Sequence, residues 1–138
     1  AVLGAAGPNT AHANFAGAPR ADTWYPAALA NAIAGNDINA GTTEIVAFFN
    51  ANLGQANCLT GTFFYYGLDG NDGLDIDFVT VLTHELGHGL GFLSFVNPST
   101  GQQPSGLPDI FQNPGRAAVL QHPKIQRLLR SSASRNNA

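Results

Sequence analysis

The chain of 138 residues has no methionine, one cysteine, one tryptophan and only two glutamates. Charged residues make up 11% of it, far below the quarter or so usual in globular domains. A lone Cys58 cannot close an internal disulfide, so no disulfide framework holds this fold. It reads as a small apolar residue, a type often buried. No run of 18 apolar residues exists, which excludes a membrane-spanning helix. Bases are scarce where acids are plentiful: residues 1–113 carry all nine acids and one base, Arg20. Residues 114–138 carry five bases and no acid, a basic, partly helical tail. That tail is short and lacks interleaved aromatics, so it reads as a solvated helix face, not a nucleic-acid site.

The length suits a single domain over 1–138 with one core. Abundant glycine, alanine and asparagine with little charge fit a loop-rich, secreted protein. Ala1-Val2-Leu3-Gly4-Ala5-Ala6 lacks a basic region followed by an apolar core. An intact signal peptide is therefore not expected there, and any leader would have been removed or lie upstream.

Residues 1–23 read as an irregular N-terminal segment, broken by Gly7-Pro8 and Ala18-Pro19 and carrying a surface His12. Pro26 to Ala34 is an alanine-rich helix, with proline in its first turn and Gly35 just past its end. Thr43–Asn50 and Gly61–Tyr66 are rich in β-branched and aromatic residues and read as strands, with Ala51–Thr60 a loop between them. Asp69-Gly70-Asn71-Asp72-Gly73-Leu74-Asp75-Ile76-Asp77 is dense in oxygen donors. Its spacing fails the calcium-loop pattern, however, so a turn ending in a helix cap by Asp75 or Asp77 is expected in place of calcium. Leu93–Val96 suggests a brief extended piece, Ser99–Pro108 a polar loop. Short helices are expected over Arg116–Gln121 and Lys124–Ser132, broken at Pro123.

Val79 to Phe92 reads as a helix containing H-E-x-x-H once, at His84, Glu85 and His88. Residues four apart share a helix face, so both imidazoles can reach one zinc ion at about 2.0–2.1 Å. Glu85 lies beside them, where it can act as general base toward an activated water. Phe78, Leu82, Leu86 and Leu90 recur every fourth residue, and this stripe is expected to pack opposite the histidines. Gly87 and Gly89 each cost about 1 kcal/mol relative to alanine, which suggests close backbone packing, and Gly91 an early helix end.

His84-Glu85-Leu86-Gly87-His88-Gly89-Leu90-Gly91-Phe92 resembles the active-site helix of the zincin metallopeptidases. The wider segment from Trp24 to Asn97 is similar to the catalytic domain of secreted bacterial zincins. The resemblance implies an α+β fold, with a small mixed β-sheet packed on the active-site helix. It also implies one zinc ion and hydrolysis of a protein or peptide substrate. Only part of a metzincin continuation is present: Gly91 fits, but Ser94 stands where a third histidine would be, and without methionine there is no Met-turn. A gluzincin ligand is excluded, since no glutamate follows Glu85. Asp109, the only later acid, sits in Gly106-Leu107-Pro108-Asp109, which resembles the G-x-x-D part of the aspzincin pattern. It is the expected third ligand; His122 is the runner-up, with Ser94 or water as further alternatives. Tyr25, Tyr65 and Tyr66 are oxyanion-donor candidates by residue type alone. The rival readings are a zinc-binding but inactive or truncated domain, and a binding module carrying the motif by accident.

Overall fold

The computed structural model describes residues 1–112. The expected C-terminal helices, the basic tail and His122 lie outside the described residues. Within them the chain forms a small mixed α/β domain of two helices and three two-stranded ladders. Strands β1 (Gly4–Pro8) and β4 (Ile45–Phe49) pair antiparallel, with Ala6 opposite Ala47. Strands β2 (Ala11–His12) and β3 (Tyr25–Pro26) also pair antiparallel, placing His12 opposite Tyr25. β5 (Phe64–Tyr65) and β6 (Ile76–Asp77) run parallel.

Helix α1 (Ala27–Ala34) follows the sequence closely. Alanine favours helix strongly, Pro26 fixes the entering backbone at φ −56°, and Gly35 ends the helix in a left-handed conformation at φ 80°. Its inner face contributes Ala30 and Ile33 to a core with Tyr25 and Ile110, flanked by Phe15, Leu29 and Phe111. Phe15 meets Tyr25 edge to face, ring centres 5.3 Å apart. Asn31, on the same helix, donates to Glu44 Oε1 at 3.0 Å and so ties α1 to the entry of β4.

Three sequence expectations about strands are corrected. Residues 1–23 are not wholly irregular, because β1 and β2 lie within them. Gly4, Ala5, Ala6 and Gly7 have little strand propensity; what makes them a strand is pairing with β4 and contact with the next helix. The single mixed sheet is replaced by separate ladders, because the 61–66 run keeps only Phe64–Tyr65 and pairs with a strand at the end of the aspartate-rich turn. Leu93–Val96 forms no strand.

Helix α2 (Phe78–Leu90) lies across β1 and β4. Asp77 caps it, accepting from the N–H groups of Val79 at 3.1 Å and Thr80 at 3.2 Å and from the Thr80 hydroxyl. The other expected cap, Asp75, instead accepts from Phe63 N–H at 2.9 Å. Phe78 anchors the first turn among Phe49, Phe64 and Tyr66, its ring centre 5.0–5.2 Å from theirs.

The inner face of α2 is not the expected stripe. Leu86 is 37% exposed and Leu90 53%, whereas Glu85 and Gly89 are buried. A repeat of four drifts about 40° around an α-helix at each step, so a stripe begun at Phe78 rotates into solvent by Leu86. The alternation Phe78, Leu82, Glu85, Gly89 stays on one line. Glycine makes the close approach possible: a Cβ on Gly89 would collide with Ile45, and one on Gly4 would sit 3.2 Å from Glu85 Cγ.

Candidate metal centre

His84 and His88 project from the last two turns of α2, His84 exposed and His88 half-buried. Their Nε2 atoms are 3.1 Å apart, with the rings perpendicular at a centre separation of 4.7 Å. A tetrahedral ion with bonds of about 2.05 Å holds its ligand nitrogens about 3.3 Å apart, so this pair matches two positions of zinc. His88 Nδ1 lies 2.9 Å from the Phe92 carbonyl. A carbonyl only accepts, so that bond requires Nδ1–H and leaves the lone pair of a neutral ring on Nε2. The second imidazole is therefore held in the tautomer a metal at Nε2 needs.

The Phe92 carbonyl was not foreseeable from the motif. It is in place because α2 ends in a Schellman turn, with Gly91 at φ 113°. The Gly91 N–H donates to the His88 carbonyl and the Phe92 N–H to the Gly87 carbonyl, both at 3.0 Å. A glycine at position 91 followed by an ordinary residue was the signal available in the sequence.

Glu85 is 9% exposed, beneath Gly4 of β1. Among the described residues no hydrogen bond is made to its carboxylate. Buried polar groups are nearly always satisfied, so a buried carboxylate with no partner among the described residues is suited to one from outside them, such as water, an ion or a substrate group.

Asp109 is not brought together with the histidine pair. Among the described residues, no group of three His, Cys, Asp or Glu side chains is arranged to hold a metal ion. Asp109 is 1% exposed, and its carboxylate is fully engaged elsewhere. Oδ2 accepts from the Ser94 hydroxyl at 2.7 Å and from Phe95 N–H at 2.6 Å. Oδ1 accepts from Phe111 N–H at 2.8 Å and Gln112 N–H at 3.0 Å. A carboxylate offers about four lone-pair sites, and four donors fill them. Ser94, whose hydroxyl donates to Asp109, is likewise committed.

The remaining candidates have partners of their own. His12 lies 3.4 Å from the Thr10 hydroxyl. Tyr25 is fully buried, and its oxygen accepts from Arg20 N–H at 3.1 Å. Burial raises its pKa, opposed by that bond and the Arg20 charge. The Tyr65 hydroxyl donates to Asp69, which raises the phenol's pKa and lowers the carboxyl to about 2. Tyr66 is 69% exposed and lies against Phe78. Cys58 is half-buried and accepts from Asn50 Nδ2 at 3.3 Å.

Set against protein-family models, curated proteins and solved structures, the chain matches none. No helix among the described residues is long and apolar enough to cross a membrane.

Proposed function

We propose that the chain is a zincin-like, zinc-dependent endopeptidase, acting on protein or peptide substrates outside the cell. The observation that carries this reading is the pair of Nε2 atoms 3.1 Å apart on α2, one turn apart, with the adjoining Glu85 buried and without a hydrogen-bond partner among the described residues. His84 and His88 would hold the zinc, which when bound supplies Lewis acidity and a nucleophilic water near neutral pH. Glu85 accepts the proton lost by the attacking water and returns it to the leaving amine, so the carboxylate ends the cycle unchanged. Among the described residues no donor occupies that carboxylate, which leaves its oxygens open to a reacting water. The β1–β4 ladder beside α2 supplies an extended edge for a substrate strand.

A second reading, a domain that binds zinc without turnover, is favoured by one specific observation: no third ligand joins the pair among the described residues. Two measurements separate the readings. Metal content after purification without chelator is expected to be one zinc per chain, lost in His84→Ala. Cleavage of an unstructured protein is expected in the wild type and absent in Glu85→Gln with its zinc retained. Zinc without cleavage would establish the inactive reading; no zinc after reconstitution would end both.

A further inference from the structure

The four hydrogen bonds on Asp109 do more than satisfy a buried charge, because two of them fix the chain that follows α2. Phe92, whose carbonyl accepts from His88 Nδ1–H, is held on its N-terminal side by the Schellman turn. On its C-terminal side only Leu93 separates it from Ser94 and Phe95, and both donate to Asp109 Oδ2. The orientation of the Phe92 carbonyl is thus set from both ends.

Asp109 is itself firmly seated. It forms an isolated parallel bridge with Trp24. Trp24 N–H donates to the Pro108 carbonyl at 2.9 Å, and the indole N–H to the Pro104 carbonyl at 2.9 Å. The next residue after Trp24 is the fully buried Tyr25. The carboxylate therefore connects the core to the end of the metal helix.

We propose that Asp109 is a positioning residue: through Ser94 and Phe95 it aims the Phe92 carbonyl at His88 and so holds that imidazole as the Nδ1–H tautomer, its Nε2 free for metal. This rests on the reading of His84 and His88 as zinc ligands. It gives the only acid after the motif a role that leaves its oxygens where the structure has them. Such outer partners typically change metal affinity 10–100-fold when removed.

The experiment uses the full chain, first free of metal, at about pH 8, where an ordinary histidine of pKa about 6.5 is neutral. Nitrogen NMR of the histidine rings reads the His88 tautomer in the wild type, in Asp109→Asn and in Ser94→Ala. Competition with a chromophoric chelator then reads zinc affinity. The wild type is expected to show Nδ1–H at His88. Asp109→Asn turns an amide NH2 toward two of the donors and is expected to give mixed tautomers and about 10–100-fold weaker zinc binding. Ser94→Ala is expected to shift both readouts the same way by less, and it decides the matter if Asp109→Asn does not fold. A folded Asp109→Asn whose His88 keeps the wild-type tautomer overturns the proposal. If zinc is lost while the tautomer is unchanged, Asp109 is a direct ligand and the proposal also falls. Unchanged zinc affinity in His84→Ala sinks the metal reading instead, an outcome separate from any tautomer result.

Discussion

Glu85 and Asp109 are both buried carboxylates, at 9% and 1% exposure, yet their surroundings are opposite. Asp109 accepts four hydrogen bonds from the chain on either side of it, three of them from backbone N–H groups. Glu85 accepts none among the described residues and lies under a glycine of β1. Burial alone therefore does not distinguish an acid that ties the chain together from one that does not. The hydrogen-bond partners do: a carboxylate that accepts four bonds fastens the segments that donate them, and one without donors among the described residues fastens none.

The largest expected effect tests the Glu85 half of this contrast under the proposed peptidase reading. Glu85→Gln should lower peptide cleavage by about 10²–10⁴-fold, the usual contribution of a general base. Its stability to urea should not fall, since no hydrogen bond to the carboxylate is lost. A large drop in stability would show that Glu85 is a fastener after all. Asp109→Ala tests the structural half. Leaving one hydroxyl and three N–H groups unpartnered should cost about 3–5 kcal/mol in urea unfolding, as removal of one partner from a buried charged network does. A loss under about 1 kcal/mol would erase the distinction between the two acids.

Gly89→Ala sharpens the comparison from the helix side. Alanine is the better helix former by about 1 kcal/mol. Here, however, its methyl must displace Ile45, and overpacking of about 1–3 kcal/mol outweighs that gain. Thermal unfolding should show a lowered Tm; a raised Tm would mean that α2 and β4 are not in close contact. The smallest effect concerns two acids outside the core, half-buried Asp77 and exposed Asp69. Bonds from Thr80 lower the Asp77 pKa, and bonds from Tyr65 and Asn71 lower Asp69 to about 2. A depressed folded-state pKa contributes stability above the unfolded value of about 3.9, and that contribution is lost as pH falls through the folded value. Unfolding measured from pH 5 down to about 2 should therefore show a stability decline that is shallower in Asp77→Asn.

Local signals carried through to the structure where neighbouring residues suffice to explain them. Helix α1 between Pro26 and Gly35, the cap at Asp77, the helix end at Gly91 and the shared face of His84 and His88 are of this kind. The inner face of α2 was misread because a leucine repeat of four looks amphipathic, while contact with a two-stranded ladder selects a line through Glu85 and Gly89. Strand β1 was not legible in Gly4-Ala5-Ala6-Gly7, since those residues become a strand only by pairing with Phe49 to Ile45.

The sequence by itself determined the helix, its two imidazoles and the carboxylate beside them, because an i, i+4 spacing is a property of any α-helix. What only the tertiary structure decided is what surrounds the two buried acids. Glu85 meets a glycine strand brought from the other end of the chain, and Asp109 meets Ser94 and Phe95, two and three positions past Phe92. Those encounters depend on contacts between distant segments, which no local pattern of residues encodes.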